Sequence, residues 1–184
     1  MEYSVSTLKT NTIQAATGTT LNVASGHKIT GNITHGTSSV FPAGHVLQLL
    51  HNESTSTATF TGSSYVDSGF NHSITPSATS SKIFMIFDFT WYGYRNNVGP
   101  EVGGAFKLVR DSTDIKAFED SAAYTQKVEG AANNYWECFR VSLTHLDSPS
   151  STSSTNYKLH CTSKLNGYVA IKGPTKITLM EIAG

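Results

Sequence analysis

Residues 82–94, KIFMIFDFTWYGY, constrain the fold more than any other part of the chain. Ile83, Met85, Phe87, Phe89 and Trp91 recur at a spacing of two, and Phe84, Ile86, Tyr92 and Tyr94 fill most of the alternate positions. A spacing of two sends the first set to one face of a β-strand and the second to the other. Apolar side chains on both faces predict a strand covered on both sides, by a core and by a neighbour.

The segments around this run carry the same signature, more weakly. Residues 46–51, 57–60, 70–74, 105–111 and 115–118 read as short strands, separated by turns rich in Gly, Ser, Asn and Pro. NNVGPEVGG, residues 96–104, reads as a turn, and residues 119–128 as a helical turn or a long loop. YWECFRVSLTHL (135–146) and NYKLHCTSKL (156–165) flank the loop DSPSSTSST and read as a hairpin. Matching their apolar faces pairs Phe139 with Cys161, Val141 with Leu159 and Leu143 with Tyr157. That register leaves Cys138 on the opposite side of the sheet, so both thiols are expected to be free. NGYVAIKG and KITLMEIAG read as two last strands, the second fixed in a sheet. About eight short strands without an amphipathic helix predict an all-β chain, an antiparallel β-sandwich of jelly-roll-like type.

The apolar density falls off before residue 40. In TNTIQAATGTTLNVASGHKITGNITHGTSS (10–39) only Ile13, Leu21, Val23, Ile29 and Ile33 stand out, spaced between glycines. One chain cannot cover five such side chains with so little else to bury, whereas three chains wound together can. The expected organisation is an N-terminal docking arm or short trimeric β-stalk over residues 1–39 and a sandwich head over 40–184. The alternative is a flexible tether, which has no need of evenly spaced Ile, Leu and Val.

Charge excludes some partners. Thirteen basic residues balance thirteen acidic ones in a chain of 184 that is only 14% charged. No basic patch of the kind that holds nucleic acid is present. Ser and Thr, roughly a quarter of the residues, provide polarity in place of charge. MEYSVSTLKTNT lacks the basic start and apolar run of a secretion signal, and no window reaches the ~18 apolar residues of a membrane span. Assembly in a cytoplasm, with no membrane insertion, is expected. The sequons at Asn32, Asn52 and Asn71 carry no weight without such a signal.

Catalytic patterns are sparse. The seven histidines (27, 35, 45, 51, 72, 145 and 160) have no metal-ligand spacing, and neither cysteine lies in a ligand motif, so no metal or cofactor is expected. No Gly-x-Ser-x-Gly element occurs. Asp111, Asp114, Glu119 and Asp120 could suggest a glycosidase pair, but they sit in a polar, turn-rich stretch that suits solvated loop carboxylates better. The chain is read as a non-enzyme. Binding has more support. TWYGYRNN places Trp91, Tyr92, Tyr94, Arg95, Asn96 and Asn97 at the end of the strongest strand, and NNYW adds Tyr135 and Trp136. Aromatic rings beside amide and guanidinium donors suit a sugar, which stacks its apolar face and hydrogen-bonds at its edge. The alternative is that these rings close the end of the sandwich or face a sister subunit.

Five segments in order also resemble a known group. STLKTNTIQAATGTTLNVASGHKI, SITPSATSSKI, RDSTDI, LDSPSSTSSTNYKL and the closing ITLMEIAG are similar to virion structural proteins, of fibre or tail type, from marine and freshwater tailed phages, including cyanophages. The resemblance covers nearly the whole chain. It implies a usually trimeric virion protein whose slender N-terminal part attaches to other virion proteins and whose β-sandwich head meets the host. It supplies no catalytic residues. Many such fibres are far longer, so a short fibre, a fibre tip or a head decoration is implied. The expected role is a homotrimeric appendage adhering to host surface polysaccharide. The alternatives are a capsid decoration protein and, third, a glycan-degrading enzyme.

Overall fold

The computed structural model describes residues 43–96, 101–118, 123–126, 134–163 and 168–184. All lie in the compact unit Val40–Gly184. The proposed arm, with Ile13, Leu21, Val23, Ile29 and Ile33, lies outside the described residues.

Every regular element among the described residues is a strand: β1 Val46–Ser54, β2 Ala58–Phe60, β3 Val66–Ile74, β4 Lys82–Asn96, β5 Glu101–Arg110, β6 Thr113–Ala117, β7 Ala123–Gln126, β8 Asn134–Asp147, β9 Thr155–Ser163 and β10 Tyr168–Ile182. They form two antiparallel sheets. The first runs β1-β10-β4-β8, with β2 pairing β10 beyond the end of β1. The second runs β3-β9-β5-β6, with β7 extending the β6 edge along β5. The interrupted pairs β1/β2 and β6/β7 each occupy a single position, so two four-stranded sheets result. From β2 the chain passes between the sheets at nearly every step, which gives the jelly roll its two Greek keys.

The core lies between the sheets. Ile83, Met85, Phe87, Phe89 and Trp91 of β4 are fully buried and meet Phe106 and Leu108 of β5 and Tyr157, Leu159 and Cys161 of β9. Phe89 meets Phe106 edge-on across the gap, with ring centroids 5.1 Å apart. Trp91 takes the most room, and two glycines provide it. A Cβ on Gly104 of β5 would sit 2.7 Å from the indole Nε1, and one on Gly93 would collide with the six-membered ring.

Two polar clusters close one rim. Glu181, Ile83 and Asp147 stand side by side across β10, β4 and β8. Glu181 is fully buried and accepts from Gln48 Nε2, Ser77 N, Ser77 Oγ and Ser81 Oγ, each at 2.6 Å. These donors hold the carboxyl below its usual range although burial works the other way. Asp147 of the first sheet accepts from Arg110 Nη1 at 3.0 and 2.8 Å and from Tyr157 Oη at 2.8 Å, both of the second sheet. Burial, then the Asp147 contact, pushes the Tyr157 phenol far up.

Three sequence expectations need correction. Segments 135–146 and 156–165 are not a hairpin: β8 pairs β4 in one sheet, and β9 pairs β3 and β5 in the other. Val141 and Leu143 therefore enter the same core as Tyr157, Leu159 and Cys161 from the opposite sheet, and Phe139, partly exposed, packs against Trp91 of its own sheet. Alternation identifies a face but not the partner strand, and the loop from Ser148 to Ser154 is long enough to cross sheets about 10 Å apart. Both thiols are nevertheless free, for a different reason: Cys138 is exposed in one sheet and Cys161 buried in the other. Second, residues 101–104 are strand, since Gly103 and Gly104 pair with β7. Third, the last two runs form one strand, interrupted between Lys172 and Lys176 around the cis Gly173–Pro174 bond. The second face of β4 is half-buried within the single chain. Of the 119–128 stretch, residues 123–126 are strand and the remainder lies outside the described residues.

Candidate binding face

The outer face of the first sheet carries the candidate site. Strand alternation brings Tyr92 and Tyr94 of β4 to this face, and register sets them beside Ala170 and Tyr168 of β10. The Tyr168 ring lies 5.0 Å from that of Tyr94 and 6.1 Å from that of Tyr92, centroid to centroid. Ala170, small and buried, leaves the rings room to lean together. One turn of the pleat further along β10, the Lys172 ammonium stands 3.6 Å from the centroid of the Tyr92 ring, a close cation–π contact. Desolvation, followed by the charge and hydrogen bond of Tyr92, raises the Tyr168 phenol above its usual range.

The neighbouring polar residues are occupied. Arg140 of β8 grips Asp88 through Nε at 3.1 Å and Nη2 at 2.6 Å, and its Nη1 donates to Thr90 Oγ1 and the Pro174 carbonyl. Cys138 stands opposite Tyr92 and is exposed. Among the described residues, the tyrosine end of the face thus offers three phenol rings, their hydroxyls and one exposed ammonium, that of Lys172.

Not all the residues expected at a sugar site are here. Trp91 is buried between the sheets, 4.7 Å from Phe139 centroid to centroid, and offers no platform to a ligand. Its position next to Tyr92 in sequence puts it on the opposite face. The side chains of Arg95, Asn96, Tyr135 and Trp136, and the whole of Asn97, lie outside the described residues; the backbone register sets Trp136 opposite Tyr94. Tyr168 and Lys172 were missed. Alternation in GYVAIKG places Tyr168, Ala170 and Lys172 on one face, but nothing in that run names β4 as the neighbour.

The far end of the same face is apolar. Leu49, Met180, Phe84 and Leu146 line up in register across all four strands, with Ile86 beside them and Val46 and Ile182 beyond. Leu49 is 55% exposed, Val46 52% and Leu146 49%. Phe84 and Tyr92 are eight residues apart, so the two ends are separated by about 26 Å along β4.

Groups for acid–base or metal chemistry do not converge among the described residues. Among the described residues, no set of three His, Cys, Asp or Glu could hold a metal ion. Asp114 pairs with Lys107 at 2.8 Å, and Asp111 accepts from the backbone of Asn156 at the β5–β6 turn. Glu119 and Asp120 lie outside the described residues. Glu181 and Asp147 share a row two strands apart, but each is buried and consumed by its own donors. No helix among the described residues is long and apolar enough to cross a membrane. Compared with known proteins, the chain matches no protein-family model and no curated sequence, so its jelly roll and its tyrosine-lined outer face carry the functional argument.

Proposed function

We propose that this chain is a phage virion structural protein, a homotrimeric short appendage whose jelly-roll head adheres to host surface polysaccharide. The observation that carries this reading is the cluster of Tyr92, Tyr94 and Tyr168 on the outer face, with Lys172 over one ring. Rings of this kind accept the apolar face of a sugar, and their hydroxyls meet its edge. The resemblance of five segments to phage virion proteins supplies the setting, with residues 1–39 as the attachment to other virion proteins. Each site on so open a face is weak. Three per appendage, and several appendages per particle, turn weak contacts into firm attachment.

The apolar band of Leu49, Met180, Phe84 and Leu146 supports assembly. Contiguous apolar surface on a sheet face marks a contact site more often than it stays wet, and a sister subunit is the occupant the appendage reading requires. The test of adhesion is competition: the purified protein blocks adsorption of the phage to its host, and a Tyr92→Ala, Tyr94→Ala double variant does not. A protein that leaves adsorption untouched while particles lacking it burst on heating is a capsid decoration instead. Light scattering of the intact chain tests assembly, and a stable monomer defeats the trimer.

A further inference from the structure

We infer that the saccharide taken at the tyrosine face is acidic, with a carboxylate-bearing ring such as a uronate, and that Lys172 reads its charge. The inference rests on the reading of this face as a saccharide site. A neutral sugar needs only the rings and hydroxyls. Lys172 adds an ammonium fixed 3.6 Å from the Tyr92 ring centroid, and the side chain is exposed. No ion pair holds this ammonium among the described residues, whereas the other cation of that row, Arg140, is spent on Asp88, Thr90 and Pro174.

The carboxylates of the face reinforce this asymmetry. At its described outer-face positions they are Asp88, clamped by Arg140, and Glu53, which stands opposite Lys176 on the β1 side. Among the described side chains, Lys172 is therefore the one unneutralised positive charge at the tyrosine end. A ring stacked on Tyr94 and Tyr168 would place an equatorial carboxylate within reach of that ammonium, giving a charge-assisted hydrogen bond beside the stacking contact. The ring beneath Lys172 confines the ammonium, so less side-chain freedom is lost when the anion arrives.

The test uses tetragalacturonate and its full methyl ester, which share every ring and differ in charge. Binding of each to the intact protein is read by titration calorimetry or saturation-transfer NMR at low salt. The wild type is expected to prefer the acid by about 5- to 10-fold, the size of a partly exposed charge-assisted contact. That preference should shrink in 0.5 M NaCl as the charge is screened. Lys172→Met, an exposed change that should leave the melting temperature in place, is expected to bring the affinity ratio to about one. Equal affinities in the wild type, or a Lys172→Met protein that keeps the preference, overturn the acidic inference and leave the adhesion reading standing. Failure of both probes to bind at millimolar concentration overturns the saccharide site itself, and the acidic inference with it.

Discussion

Replacing Glu181 with Gln tests whether the rim of the sandwich is held by charge rather than by shape. The side chain keeps its size, so the core beneath Ile83 is not opened. What changes is the set of donors. Gln48, the Ser77 amide, the Ser77 hydroxyl and the Ser81 hydroxyl all point at the carboxylate, at 2.6 Å each. A carboxylate accepts all four; an amide has one accepting oxygen and turns an NH2 toward donors. Two donors lose their partner, at about 1–3 kcal/mol for each one left desolvated. Ser81 is nearly fully buried, but Gln48 is partly exposed and also donates to the Thr75 carbonyl, so its loss is cushioned. A total of about 3 kcal/mol follows. With a urea slope near 2 kcal/mol/M, the unfolding midpoint falls by about 1.5 M at pH 7. The dependence on pH has a fixed sign. Because the folded-state pKa is lowered from its ordinary 4.5, the stabilisation is fully present above that value. It is lost as pH falls through the folded-state value. The gap between wild type and variant should therefore close in acid. Equal midpoints at pH 7, or a gap unchanged at pH 3, refute the charge argument.

Asp147→Asn should destabilise by about 2 kcal/mol in the same urea assay, because it breaks the Arg110 and Tyr157 contacts that tie the sheets together, with partial relief from the exposed side of Arg110. Gly104→Ala should cost about 1–3 kcal/mol by pushing on the Trp91 indole and on Val169, with a shift in tryptophan fluorescence. An unchanged spectrum would mean that the indole does not fill the slot. Thiol titration of the native protein should count one reactive cysteine, Cys138. The second, Cys161, should appear only in denaturant, since burial keeps its thiol protonated as well as hidden. A bulky maleimide on Cys138, opposite Tyr92, should also weaken saccharide binding, measured by the same calorimetry.

The strands were legible and their partners were not. The run 82–94 names its own inner face, because a spacing of two over five large apolar residues admits one geometry. The same logic fails between strands. Phe139, Val141 and Leu143 match Tyr157, Leu159 and Cys161 equally well side by side or across a core, and only the crossing loop distinguishes the two. Gly103 and Gly104 suggested a turn because glycine is poor in strands. In the fold the absent side chain of Gly104 is the reason it belongs there, since Trp91 occupies the space. That requirement is set by a residue in another sheet and leaves no mark on the local sequence. The site divides in the same way. Tyr92 and Tyr94 could be picked out within one strand, while Tyr168 and Lys172 join them through the β10–β4 register alone.

That register also explains why a binding face can sit there. β10 lies between β1 and β2 on one side and β4 on the other, so its backbone groups are paired from both edges along most of its length. Its far end is locked by the donors around Glu181, and beyond it Ala183 exchanges hydrogen bonds with Gly44 and His45. Tyr168 and Lys172 therefore project from a central strand rather than from a loop. Rings held this way lose little freedom when a sugar stacks on them, which keeps a weak, shallow contact from being weaker still. The irregularity between Lys172 and Lys176 falls between the tyrosine end and the apolar end of the same strand. A ligand at one end and a subunit at the other would thus share a scaffold without sharing residues, and changes in Tyr94 and in Leu49 should act independently.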